Sequence, residues 1–216
     1  MKKINHTLAL TSLVLAACSS TVTVKVPPRM MLDRNQAIGI LAFKTDGTQE
    51  GDPDITAKFI EAVQSEQTGV AIVELGTPAN VLKEVHKTDL TAETMQAIGK
   101  KYNVDAVIVG DLKLKTSKPK IDVDLHQGLK LDSVQAQIRL DGSLSAKMIN
   151  TSRGATIWSG SSSLWINLAN VGGTALGTGS LSLPDRERQV EKLLNGLAQE
   201  TTTDFRSTWE RQPKKK

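Results

Sequence analysis

Asp122, Asp124 and His126 alternate along the chain, and alternation on a strand puts all three on one face. Two carboxylates and an imidazole are a donor set for a divalent cation, and Asp132 would lie opposite across a turn at Gln127-Gly128. The same spacing also describes the wet face of an antiparallel strand whose Ile121, Val123 and Leu125 face a core. Three side chains on one strand are too widely spaced to chelate unaided, so the expectation is no metal, with these three as the candidates. Other chemistry is sparse. His86 falls near the end of a helix and reads as a surface residue. No serine sits in a Gly-x-Ser-x-Gly elbow. Gly172-Gly173 through Gly177 and Gly179 lacks the Lys-Ser/Thr ending of a phosphate loop and does not join a strand to a helix. The residues therefore predict no enzyme, no cofactor and no small-molecule substrate.

Cys18 is the single cysteine and closes Leu15-Ala16-Ala17-Cys18. Lys2 and Lys3 precede an apolar stretch from Leu8 to Leu15, the pattern of a secretory signal. That stretch is well short of the ~20 residues a membrane-spanning helix needs. With cysteine as the last residue of the box, residues 1–17 resemble a bacterial lipoprotein signal peptide. The resemblance implies that the thiol of Cys18 is diacylglycerated, that the chain is cut before it, and that the new amine is acylated. Ser19, in the common enterobacterial sorting rule, permits export to the outer membrane, where the protein would face the periplasm. A thiol so used forms no disulfide, and stability must come from the core.

The formal net charge is +4; losing Lys2 and Lys3 leaves +2, and setting aside Lys214–Lys216 brings the folded part to −1. The basic character belongs to the two ends, so no nucleic-acid footprint is present. The lysine run could touch anionic lipid, although such a run is ordinarily a solvated end.

The elements that must position these residues follow from periodicity. Residues 18–34 read as a lipidated tether, with Val22, Val24 and Val26 alternating before Pro27-Pro28 closes any short edge strand. Ala37–Phe43 is an apolar run of strand length, and Val70–Leu75 is a second, both predicted buried. Between them Asp52-Pro53 is predicted to cap a helix carrying Ile55, Phe59, Ala62 and Val63, ended by Gly69. Thr77-Pro78 and Thr91 cap two more helices, with Val81, Leu82 and Val85 on one and Met95, Ile98 and Tyr102 on the other. Val104–Gly110 is a third strand. Beyond it, alternating segments predict antiparallel strands, including a pair joined by the turn Asn150–Gly154. A Gly/Ser-rich span from Ser159 to Ser182 precedes a helix opening at Pro184-Asp185, with Val190, Leu193, Leu194, Leu197 and, where the helix extends so far, Phe205 inward, and an end before Pro213. The fold class is α/β (α+β): a mixed sheet with helices packed on it, an antiparallel extension and a C-terminal helix. Residues 35–209 form one domain, and 210–216 a basic tail.

The stretch from Ile38 to Gly110, with IGKKYNVDAVIVGDL from Ile98, resembles the α/β domain of the curli-secretion lipoproteins. The same fold is similar to the amino-terminal domain of TolB and to the penicillin-binding-protein activator lipoproteins. LSAKMINTSRGATIWSGSSS, from Leu144, resembles their strand–turn–strand. The resemblance implies a non-catalytic envelope protein that works by oligomerising or by docking on an envelope partner. It carries over no functional residue, and the tether departs from the curli pattern.

Two further segments, 113–137 and 161–183, stand where the curli channel family inserts the hairpins of its membrane barrel. In the second, two arms would meet at Gly172-Gly173, with Leu164, Ile166 and Leu168 on one face and Trp165 and Asn167 on the other. Lysines and aspartates in the first segment favour soluble hairpins or partner-docking loops. The sequence thus predicts an anchored scaffold or accessory lipoprotein of envelope assembly or export. A secretion channel and a cell-wall synthase activator are the alternatives.

Overall fold

The structure is a computed structural model that describes residues 21–46, 54–118, 120–126, 130–174, 179–182 and 185–213. Its described part forms two units, one from the chain up to Val26 together with the chain from Thr208, the other Pro27–Ser207. In the first, β1 (Thr21–Val26) pairs antiparallel with β10 (Thr208–Pro213). Pro27 ends β1 as expected of a residue without an N–H. Residues 210–213 are therefore strand rather than tail. Their partner lies almost the whole chain away, so local pattern did not reveal the pairing.

The second unit is a mixed eight-stranded sheet with helices on both faces. β2 (Ala37–Leu41) lies between β4 (Ala71–Gly76) and β5 (Ala106–Thr116), all parallel, and β3 (Lys44–Asp46) follows β2 along β5. β5 then pairs antiparallel with β7 (Lys130–Asn150), which pairs with β8 (Thr156–Thr174), which pairs with β9 (Gly179–Ser182). β6 (Lys120–His126) continues the line of β5 along β7.

Side chains alternate between two cores, which is why the central strands read as continuous apolar runs. Ile38, Ile40, Ile108 and Leu112 join the core beneath α1 (Ile55–Gln64) and α4 (Arg186–Thr201). Leu41 and Val107 join the other, beneath α2 (Pro78–Glu84) and α3 (Ala92–Tyr102). The few aromatic residues are concentrated: all three phenylalanines and Trp158 form a relay, with ring centroids 5.0 Å apart for Phe43–Phe59, 6.3 Å for Phe59–Trp158 and 4.6 Å for Trp158–Phe205.

Thr77, Thr91 and Asp185 accept from the N–H groups of Asn80, Thr94 and Arg188 and cap α2, α3 and α4. Four expectations are corrected. The α1 cap is Asp54, which accepts from Ala57 N at 3.0 Å, because the helix opens at Ile55. That helix stops at Gln64, capped by Ser65, and Gly69 (φ 86°) serves the turn into β4 instead. β4 is an edge strand, mostly exposed, because only β2 flanks it; an apolar run by itself does not tell an edge from a centre. α4 ends at Thr201, and a 3-10 turn (Thr203–Phe205) carries Phe205 into the core.

Candidate interaction surface

The Asn150–Gly154 turn joins β7 to β8, whose register shifts at Met148/Ile149 and again at Ile138/Arg139. Asn150 Oδ1 accepts from Arg153 N at 3.0 Å and Ser152 Oγ at 2.7 Å, and Gly154 takes φ 66°. From this turn β7 and β8 run antiparallel for 21 and 19 residues, a span of roughly 60–70 Å at 3.3 Å per residue. α4 packs on the near part. There Gly160 leaves room for the helix end: a Cβ at that position would stand 2.5 Å from the Thr201 carbonyl oxygen. Ser162 Oγ donates to the Leu197 carbonyl at 2.9 Å and lies 2.7 Å from Thr201 Oγ1.

Farther along, the two segments expected as separate hairpins join into one extension of four strands, β6-β7-β8-β9. Ile121, Ala136, Val171 and Leu181 stand opposite one another in a single row. The neighbouring rows are Lys120, Gln137, Asn170 and Ser182 on one side and Asp122, Gln135, Gly172 and Ser180 on the other. The next row is Val123, Val134, Gly173 and Gly179. Apolar and polar rows thus alternate, the pattern of a sheet whose two faces differ in character.

Gly172-Gly173 is therefore not the turn of a hairpin. Both glycines lie inside β8, paired to β7 on one side and β9 on the other, and the chain reverses after Thr174. The partner strands supply the order that a Gly-rich sequence does not reveal. Asp122 and Asp124 face Gln135 and Ser133 in register, His126 faces Lys130, and Asp132 is the extra residue of a bulge beside Asp124. The side chains of Asp122, Asp124, His126 and Asp132 lie outside the described residues, as does Cys18.

The chain matches no family model, and no curated protein matches it. Among solved structures it is similar to a PelC dodecamer from Paraburkholderia phytofirmans, with 10% identity and a TM-score of 0.42 over 86% of this chain and 98% of that one. It is also similar to a neuraminyllactose-binding hemagglutinin homolog from Helicobacter pylori, with 7% identity and a TM-score of 0.45 over 76% and 80%. A third is the LpoB C-terminal domain from Salmonella enterica, with 12% identity and a TM-score of 0.37 over 60% and 82%. At these values each is a likeness of outline alone.

Trp165 lies on β8 and is 55% exposed. The guanidinium carbon of Arg139 sits 4.2 Å from its ring centroid, and Arg139 Nη2 donates to Asp141 Oδ1 at 2.9 Å. Asp141 faces Trp165 in register and Arg139 faces Asn167. Arg139 Nε and Asn167 Oδ1 are buried without a hydrogen-bond partner. Sequence reasoning singled out Trp165 but missed Arg139 and Asp141; their shared face with Trp165 depends on the β7–β8 register. At the other end of the sheet, Glu84 takes hydrogen bonds from Lys101 and Tyr102, which hold its carboxyl below the usual range. Burial, then the Glu84 bond, pushes the Tyr102 phenol up. His86 is exposed and adopts a left-handed φ of 55° just after α2.

Proposed function

We propose that this protein is a lipid-anchored, periplasmic accessory subunit of an outer-membrane assembly or export system. It engages a second copy or another envelope protein through the β6-β7-β8-β9 extension. The observation that carries the reading is the alternation of apolar and polar rows across all four strands of that extension. Contiguous apolar patches are a mark of protein or membrane interaction sites, and we take protein association as the first reading. The resemblance of residues 1–17 to a lipoprotein signal supports the anchor at Cys18, and the poverty of catalytic groups supports a role in assembly. Light scattering on the acylated protein in detergent tests it: an oligomer, or a stable complex with a co-purifying envelope protein, that Val134→Asp dissociates would support the reading. A monomer unaffected by the substitution and without a partner would end it.

The same row pattern favours one second reading, an oligomeric secretion channel. Lys130–Leu140 is long enough for a tilted membrane strand, and amphipathic alternation is what such strands show. Conductance across planar bilayers would select the channel; a discrete oligomer with no conductance would exclude it.

A further inference from the structure

β8 has a free edge for most of its length. β9 pairs with it only over 170–173, and among the described residues no other strand or backbone hydrogen bond covers 156–169 on that side. Register shifts leave Ile157 and Leu168 as extra residues, and between them 158–167 pairs with β7 without interruption. That is an open edge of roughly 30 Å at 3.3 Å per residue. Sheets ordinarily defend such edges with charges, prolines or brevity, yet this stretch holds no charged residue and no proline. The opposite edge is defended: β4 is short, carries Glu74 and has a register shift against β2.

The helix beside this edge has a pattern of its own. α4 lies over β7 and β8, since a Cβ at Gly142 would stand 2.8 Å from Leu197 and one at Gly196 the same distance from Leu164. Lys58 pairs with Glu191 at 3.6 Å on the flank of α4 toward α1. Lys192, Gly196 and Glu200 follow one another at intervals of four along the other flank, toward the free edge. Lys192 and Glu200 are exposed, and among the described residues neither has an ion-pair partner.

We propose that β8 pairs antiparallel with β8 of a second copy, about a two-fold axis normal to the sheet near Ser163. Such an axis keeps every side chain on its own face. The uncharged edge then meets itself without like-charge repulsion, with Ser163 opposite its twin and Ser161 opposite Trp165. With strands about 4.8 Å apart and a helix seated over β7 and β8 in each copy, the two α4 helices lie about 10 Å apart, the separation of packed helices. They run antiparallel with Gly196 close to the axis, which brings Lys192 of each copy to Glu200 of the other. That complementarity selects the occupant: a charged foreign strand finds no partner on the edge itself, whereas a second copy gains two ion pairs. The contact lies outside the rows of the β6-β7-β8-β9 extension and does not rest on them.

The test is sedimentation equilibrium of the full chain in detergent, carrying Val134→Asp to remove association through the extension. A reversible dimer is expected, and Ser163→Lys should weaken it about fivefold by setting two like charges opposite each other. Lys192→Glu should also weaken it, and Glu200→Lys in the same chain should restore it. Ser163, Lys192 and Glu200 are all exposed, so the fold of each copy is spared. Under mild oxidation Ser163→Cys should give a disulfide-linked dimer. Ser159→Cys, whose twin would lie roughly 26 Å away, should give none above the background of the parent chain, whose single cysteine is Cys18. A monomer throughout the micromolar range, a charge swap that restores nothing, or equal linkage through positions 163 and 159 would overturn the proposal. The reading of the extension is judged separately, by what Val134→Asp itself dissociates.

Discussion

Gln67 donates from its side-chain amide to the carbonyl of Phe205 at 2.8 Å, joining residues 138 positions apart. The same amide group donates to the Met30 carbonyl at 3.2 Å, and its oxygen accepts from Leu32 N at 3.1 Å. Met30 N in turn donates to the Asp204 carbonyl at 2.9 Å. One buried glutamine thus ties the segment that enters the larger unit to the segment that leaves it. Trp158 adds a side-chain bond there, from Nε1 to Asp204 Oδ2 at 3.2 Å.

Gln67→Leu removes all three partners at once while keeping the volume similar. Each buried polar group left unpaired costs about 1–3 kcal/mol, and partial rescue by water lowers the sum. A loss of about 3 kcal/mol is expected, read as a lower urea midpoint at unchanged slope. A change under 0.5 kcal/mol would show that the clasp is incidental.

Gly160→Ala is expected to cost about 1–3 kcal/mol, since the new methyl meets the Thr201 carbonyl and the Trp158 ring. The end of α4 would have to lift. Hydrogen exchange should therefore accelerate first at the amides of Ala198–Thr202, and thermal unfolding should begin at lower temperature.

Tyr102→Phe is expected to raise the Glu84 pKa toward the ordinary carboxylate value, because one of the two hydrogen bonds holding it down is lost. Lys101→Ala should raise it further, its bond being the larger cause. The favourable interaction at Glu84 is present above the carboxylate's unfolded pKa and is lost as pH falls through the lower folded value. At Tyr102 it is present below the ordinary phenol value and is lost as pH rises through the raised one. Carbon-detected NMR titration of the two side chains checks both directions.

Arg139→Ala is expected to change stability by less than about 1 kcal/mol, since the pair with Trp165 is half exposed. Trp165 emission should nonetheless shift, because the cation over its ring is gone. An unchanged spectrum would mean that the stacking is absent in solution.

What was legible in the chain was what neighbouring residues decide. Thr77, Thr91 and Asp185 announce their helices because a cap acts within three residues. The Asn150–Gly154 turn is likewise local. The apolar periods of α1, α3 and α4 placed Phe59, Ile98 and Leu197 in the core correctly. The misses at the ends of α1 are local shifts of a helix boundary, whereas those in the sheet depend on partners far along the chain. Gly172 and Gly173 become strand only because β7 and β9 flank them, β4 loses its cover because nothing pairs beyond it, and Glu210–Pro213 are ordered by Thr21–Val24. The sequence predicts two separate hairpins at the candidate surface, since cross-strand register between 130–138 and 169–174 leaves no mark in either segment alone.

The central claim is that the sheet extension is the element through which the protein binds its partner. A photo-crosslinking residue placed at Val171, in the apolar row, and a control at Lys83 on α2 test it in living cells. The account predicts a discrete covalent adduct from Val171, to a second copy or to one envelope protein, and none from Lys83. No adduct from Val171, or equal adducts from both positions, would contradict it.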